Sequence, residues 1–416
     1  MSNTLKFGNG QWAVKEGSTL AYNDENNNFK PLPFSFERGS GATVVNKDGL
    51  IETVGSDIPR IDYKDDSEGA LLLEPSRTNN LTNSDNGSSY TFFSATKTLD
   101  EQISPDGTLK SFTLTGNGDF NQILGETPFV TLPSAGDYTF SVFAKKGTDN
   151  FIQLFLDGFA GSSNNEAYFD LENNSTPSSN GKIENYGNGW YRLSFVSTVD
   201  ATDLYGRIGF RISYTDSDFF FPTANDTIGR NLYFYGFQLE LGSYATSYIP
   251  TQGSAVTRLA DVCNNGGNST VFNDSEGVLM AEISALTDST SGGVRRLSLS
   301  DGTNDNRIQI LLSSVVGKIG VVVKSGGLFQ IDTGFSGYNT TDSNKIAIRY
   351  GSGVFKVYIN GLSVFNDAGV SFSSISLNNL RFSNPTGTET MYSKTKQLKY
   401  FNSALSDSEL AALTQV

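Results

Sequence analysis

The sequence contains no histidine. That removes the commonest general base, the Ser-His-Asp and Cys-His nucleophile arrangements, and the usual zinc ligands. Paired carboxylates are then the one hydrolytic apparatus the composition permits. Cysteine is almost missing as well: Cys263 stands alone, so neither an intramolecular disulfide framework nor a CxxC metal knuckle can form. Cations are scarce beside anions, 30 Lys and Arg against 44 Asp and Glu, for a formal net charge of −14. A phosphate backbone demands clustered Lys and Arg, so no nucleic-acid partner is expected. No segment approaches the roughly 18 apolar residues of a membrane span, so no membrane insertion is expected. The opening "MSNTLKFGNGQW" lacks a charged stretch followed by an apolar run, so no secretory leader is expected either.

What is abundant points to β-structure. The 30 Phe and 18 Tyr carry large apolar area, and 43 Gly, with many Asn, Ser and Thr, supply turns. From residue 88 to 252, segments such as "GDYTFSVFAKKG", "NFIQLFLDG", "GWYRLSFVSTV", "LYGRIGFRISY" and "NLYFYGFQLELG" recur between Gly, Asn and Asp, the pattern of a two-sheet jelly roll. Residues 253–275 lose it and read as a linker. It resumes over 276–416, where Asn360-Gly361 marks a two-residue hairpin. Ser406 and Glu409 form a capping box for one terminal helix. Residues 1–87 show little alternation apart from a hairpin signal at Lys47-Asp48-Gly49, and such a segment is expected to drape over a neighbour or another copy of the chain. The expected fold is all-β: an extended N-terminal region, two antiparallel β-sandwich (jelly-roll) domains and a short C-terminal helix.

Two stretches then carry a likeness. "GLIETVGSDIPRIDY" followed by "LLLEPSRTNN" resembles the N-terminal region of bacteriophage head-fibre and tail-fibre (virion spike) proteins. The match runs through Gly49, Pro59, Arg60, Asp62, Tyr63, Leu71 to Leu73, Glu74, Pro75, Arg77, Thr78 and Asn79, with Asn80 inserted before Leu81. "NYGNGWYRLSFVST" and "FQLELGSYATSYIPTQGSAVTRLAD" look like the carbohydrate-binding-module-like jelly roll that follows in such proteins, and the C-terminal segments resemble a concanavalin A/laminin-G-like sandwich. The resemblance implies a virion-surface protein made in the host bacterial cytoplasm. It also implies a homotrimer, docked through its N-terminal region to capsid or tail proteins, that displays domains for host-surface or environmental glycans. It implies no enzyme. A glycan-cleaving spike or secreted polysaccharide hydrolase and a ligand-free capsid decoration protein are the alternatives.

The candidate residues fall into three groups. Leu71, Leu72 and Leu73 read as a buried interface strand, with Glu74, Arg77 and Asn79 as the charged and turn residues of a docking strap. Strand alternation gives a glycan-binding candidate. In "FIQLFLD", Ile152, Leu154 and Leu156 share one face, and Gln153, Phe155 and Asp157 the other. In "YGRIGFRISY", Tyr205, Arg207 and Arg211 face away from Ile208, Phe210 and Ile212, and Tyr233 and Tyr235 could join them. Rings for stacking and Arg, Gln and Asp for hydroxyls suit a sugar. Trp190 reads as a core or rim anchor. No cofactor is expected, with Ca²⁺ the one possibility, at Asp301, Asn304, Asp305 and Asn306, although their spacing is not that of an EF-hand.

Overall fold

A computed structural model describes residues 5–12, 14–15, 17–21, 32–85, 87–99, 101–159, 165–202, 204–288, 293–351, 353–368 and 376–416. The chain is all-β, with 50% of its residues in strands and 3% in helix. It divides into two compact units: residues 1–41, 54–75 and 259–416 form one, and residues 42–53 and 76–258 the other. The expected segmentation differs from this. The first 87 residues are not a region apart but are shared between both units, and 253–275 is not a linker.

The unit containing the C-terminus is a sandwich. One sheet runs Leu362–Asp367, Phe355–Ile359, Asn344–Gly351, Glu276–Ala285, Ser393–Phe401, Ala70–Leu73, Arg60–Asp62, with Leu5–Gly8 also pairing to Ser393–Phe401. The facing sheet runs Leu328–Ser336, Lys318–Ser325, Arg307–Leu312, Arg295–Ser300, Asn379–Arg381. Asn360 and Gly361 turn the hairpin between Ile359 and Leu362 with φ of 50° and 82°; two successive positive φ values are what a tight hairpin of the right twist requires. The helix Asp407–Thr414 starts at the Ser406–Glu409 capping box and buries Leu410 against Val278, Met280, Ala347 and Tyr358.

The three leucines are an inner strand of this sheet. Leu71 pairs with Thr395 and Leu73 with Ser393 on one side, while Leu72 pairs with Arg60 on the other. Leu71 and Leu73 enter the core beside Ile283, Leu297 and Leu398, and Leu72 is buried on the opposite face. Their burial is completed inside the chain, so they offer no surface to another copy; the interface reading of Leu71, Leu72 and Leu73 is corrected on that ground. The supposed linker is equally committed: Val262–Asn264 pairs with Leu32–Glu37, and Gly266 bridges Leu380.

The motif residues around these strands form a buried ionic cluster. Asp261 accepts from Arg38 Nη1 at 3.1 Å, from Arg60 Nη2 and from the Glu74 backbone N–H at 2.8 Å. Arg60 Nη1 meets Glu74 Oε2 at 2.7 Å, and the Asp261 N–H returns to the Glu74 carbonyl at 3.0 Å. Arg38 also donates to the carbonyls of Ser40, Gly55 and Ile58. Burial opposes the Arg60 charge, yet Asp261 and Glu74 outweigh it and raise its pKa further. Two arginines and two carboxylates thus cancel in the dry interior, the condition under which buried charge is tolerated. The "PRIDY", "LLLEP" and "RLAD" stretches are one device tying distant segments of the chain.

The other unit is a two-sheet jelly roll. One sheet runs Thr91–Phe93, Ile123–Glu126, Tyr205–Ile212, Phe151–Asp157, Glu166–Asp170, with Val130–Thr131 flanking Tyr205–Ile212. The other runs Ala95–Leu99, Phe112–Gly116, Asn231–Leu241, Gly136–Lys146, Trp190–Val199, Gly181–Asn185. Phe112, Phe140, Phe195, Phe210, Phe234 and Phe237 interlock between them. The hairpin Ala42–Val45 and Ile51–Val54 lies over the outer face of the second sheet, where Val45 and Ile51 bury Phe143, Trp190, Tyr235 and Tyr248. Trp190 is 1% exposed and donates from its indole nitrogen to the Ile103 carbonyl at 2.8 Å, so it is an internal anchor.

Candidate functional site

With one jelly-roll sheet covered by its own hairpin, the strands Phe151–Asp157 and Tyr205–Ile212 of the other carry most of the expected glycan-binding residues. Their register sets Gln153 opposite Arg211, Phe155 opposite Gly209 and Asp157 opposite Arg207. Directly opposed residues of antiparallel strands share a face. Ile152, Leu154, Leu156, Ile208, Phe210 and Ile212 point the other way, into the core.

Arg211 is held on this face by ring contacts and a hydrogen bond. Its guanidinium lies between two rings, 4.2 Å from the centroid of Phe155 and 4.0 Å from that of Phe219. Phe155 can fold across the neighbouring strand only because residue 209 is glycine; a Cβ there would fall 1.9 Å from the ring. Arg211 Nη1 donates to Gln153 Oε1 at 2.9 Å, and Gln153 Nε2 donates onward to Glu166 Oε2 at 2.7 Å and Tyr168 Oη at 3.0 Å. Burial lowers the Arg211 pKa. Burial, then the nearby Glu166, pushes Tyr168 up to about 12, so its hydroxyl stays protonated at neutral pH.

Next to it, Arg207 bridges two carboxylates, with Nε 2.8 Å from Asp157 and Nη1 2.5 Å from Glu126. Burial pushes the Glu126 carboxyl above its ordinary value, and the attraction of Arg207 offsets only part of that. The Arg207 guanidinium sits 4.8 Å over Phe129, which stacks on Tyr205 at 4.9 Å and 14°. These two rings remain 46% and 55% exposed, and they form a flat apolar ledge beside fixed charged groups.

Tyr233 and Tyr235 do not belong to this face. Their strand pairs with Phe112–Gly116 and Gly136–Lys146 in the covered sheet, and Tyr235 is buried there, donating its hydroxyl to Asp106 at 3.0 Å. Alternation tells which residues share a side of one strand but not which sheet the strand joins. Sequence reasoning also missed Glu126, Phe129 and Phe219, whose signals were the short "ETPFV" run and the triple phenylalanine of "DFFF", and Glu166 and Tyr168, which alternate on one face of the strand "EAYFD".

The strap residues serve the fold. Glu74 belongs to the ionic cluster; Arg77 lies 5.6 Å over Tyr244 with Nε 3.9 Å from Glu240. Asn79 donates to the carbonyls of Phe237 and Ile249 and accepts from the N–H groups of Leu81 and Leu239, which uses its whole amide. Glu74 and Asn79 are enclosed within the chain, out of reach of a docking partner, while Arg77 keeps part of its side chain at the surface. In the candidate calcium loop, Asp301 accepts from Thr303 and Asn306, Asp305 pairs with Lys324, and Asn306 accepts from Gly326 N–H. These oxygens are engaged in closing a turn. Among the described residues, no group of three His, Cys, Asp or Glu side chains could hold a metal ion, and no helix is long and apolar enough to cross a membrane.

Neither a protein-family profile nor a curated protein sequence matches the chain. Solved structures do. The carbohydrate-binding module CBM40 of the Ruminococcus gnavus IT-sialidase, solved with α2,3-sialyllactose, aligns at 17% identity and a TM-score of 0.31, over 37% of this chain and 94% of its own. The Streptococcus pneumoniae NanB sialidase aligns at 19% identity and a TM-score of 0.29, over 35% of this chain and 25% of its own. Domain 4 of AbnA, an extracellular arabinanase of Geobacillus stearothermophilus solved with arabinotriose, aligns at 15% identity and a TM-score of 0.29, over 42% and 83%.

Proposed function

We propose that the open face of the jelly roll binds saccharide without cleaving it. A pyranose needs a flat apolar surface for its C–H face and fixed donors and acceptors for its hydroxyls. The observation that carries the reading is the exposed Tyr205–Phe129 ledge with Arg207 and Asp157 locked beside it. Those charged groups are already held in place, so little side-chain freedom is lost on binding. A glycan panel probed with the intact chain and with Arg207→Ala tests this: binding that Arg207→Ala leaves intact would remove the face from consideration.

Cleavage is the second reading, because burial lifts the Glu126 carboxyl towards the range of a general acid and Asp157 shares the same guanidinium. Arg207 opposes it, since a carboxylate clamped by a permanent cation is a weak base. Reducing-sugar release from a bound oligosaccharide would establish the hydrolase. A panel with no binding at all would leave a ligand-free surface protein.

We infer further that the chain is a surface protein of a bacteriophage particle, on head or tail, assembled as a homotrimer and held by capsid or tail proteins. This rests on the resemblance of "PRIDY" and "LLLEPSRTNN". Antibody labelling of purified particles tests the location, and sedimentation of the full chain as a monomer at micromolar concentration would exclude the trimer.

A further inference from the structure

The five-stranded sheet of the other unit, from Leu328–Ser336 to Asn379–Arg381, carries a second outward cluster. Leu297, Leu299, Ile308, Ile310, Ile319, Val321 and Val323 enter the core. The alternate positions turn Arg296, Arg307, Gln309, Lys318, Lys324 and Arg381 outward, with Ser298 opposite both Gln309 and Arg381. Around Arg307 the nearby charges are Arg296, which opposes its own, and Asp305, Asp332 and Glu389; of these, Asp305 is taken by Lys324 and Glu389 by Arg296.

At the centre, Gln309 is fully buried although it sits on the outer face. Its Oε1 accepts from Arg296 Nη1 at 3.1 Å and from Arg307 Nε at 2.9 Å, and its Nε2 donates to Ser298 at 2.7 Å. Two like charges are thereby fixed around one neutral oxygen. Arg296 Nε is taken by Glu389 at 2.6 Å, and Arg307 Nη1 by the Asn304 carbonyl. The Nη2 group of each arginine has no partner among the described residues. The ring of Phe329, 56% exposed, lies 6.0 Å from Arg307 and 5.2 Å from Lys324.

We propose that this face is a separate saccharide site selective for sugars that carry a carboxylate, the anion lying between Arg296 and Arg307 and the ring against Phe329. A carboxylate between two guanidiniums relieves their mutual repulsion and gains charge-assisted hydrogen bonds. On the jelly-roll face the corresponding arginine, Arg207, is already occupied by Glu126 and Asp157. Extended polyanions such as nucleic acid need many phosphate contacts, which one arginine pair in an acidic chain does not supply.

The test is calorimetric titration of the full chain with oligogalacturonate and with the same oligomer after reduction of its carboxyl groups. The uronate should bind, weaken with added salt, and lose at least about tenfold in affinity on carboxyl reduction and in each of Arg296→Gln and Arg307→Gln. Glu389→Gln, which releases Arg296 Nε, should tighten binding. On an Arg207→Ala background, which removes the contribution of the jelly-roll face, the losses caused by Arg296→Gln and Arg307→Gln should persist, which separates the two sites. Unchanged unfolding temperatures of the variants exclude loss of fold as the cause. Equal binding of the reduced oligomer, no uronate binding, binding that survives both Gln substitutions, or tighter binding of an RNA oligonucleotide at these arginines would each overturn the proposal.

Discussion

The cluster of Arg38, Arg60, Glu74 and Asp261 and the cluster of Arg207, Glu126 and Asp157 are built from the same chemical groups at similar distances. They differ in where they lie. In the first, the four side chains are 0–4% exposed and every carboxylate contact runs between segments of the same unit. In the second, Glu126 is 6% exposed but Arg207 is 27% and Asp157 45% exposed, and the guanidinium rests on a ring that continues into an open ledge. Arginine–carboxylate pairing therefore does not mark a binding site by itself. Fully enclosed it fixes chain topology, because removing one member strands a charge in a dry interior. At the rim of a sheet its contribution to stability falls towards that of a surface pair, and its fixed donors become available to a ligand.

The largest effect should come from Asp261, the acceptor shared by both buried arginines. Asp261→Ala is expected to cost about 3–5 kcal/mol in denaturant unfolding; a loss as small as that of Arg207→Ala would erase the distinction between the clusters. Trp190→Ala should cost a similar ~3–5 kcal/mol, since the ring fills the space between the sheet and its hairpin. Faster proteolysis within residues 42–53 would show that this cover has loosened. Arg207→Ala should cost less than Asp261→Ala, about 1–3 kcal/mol, because the buried Glu126 carboxyl it unpairs can take up a proton, and should weaken saccharide binding by about tenfold or more, equal to about 1.4 kcal/mol.

Acid sharpens the comparison in a smaller way. Glu126 has a raised pKa in the folded chain, so its ionisation opposes folding, and the penalty disappears when it is protonated. The folded state binds the proton first. Stability of the natural chain should therefore rise relative to Glu126→Gln as pH falls from the raised folded value to the ordinary one near about 4.3. Parallel unfolding curves of the two proteins from pH 7 to 4 would contradict this. Smallest is Tyr205→Ala, expected to leave stability within about 0.5 kcal/mol while removing a stacking contribution of about 0.5–1.5 kcal/mol from saccharide binding. Melting curves and binding isotherms measure the two sides.

The legibility of these features in the sequence follows the range of the interactions behind them. Alternation in "FIQLFLD" and "RIGFRISY" was sufficient to place Gln153, Phe155, Asp157, Arg207 and Arg211 outward, because side-chain direction in a strand is a property of two successive peptides. The Asn360-Gly361 hairpin and the Ser406 cap were readable for the same reason: each depends on a few neighbouring residues. Leu71 to Leu73 could be read as buried, but not by what.

Which strands meet was decided by tertiary structure alone. Nothing local says that Tyr235 pairs with Phe143 and not with the strand Tyr205–Ile212, or that Leu71 pairs with Thr395. Strand pairing is a global choice, set by which sheet can bury each hydrophobic face and by what covers the other. The same holds for Arg38, Arg60, Glu74 and Asp261, separated by up to 223 residues along the chain. The sequence by itself determined an all-β chain without histidine chemistry and with an aromatic, charged strand face. Only the closing of long loops decided which of its arginines neutralise buried carboxylates and which still present donors to solvent.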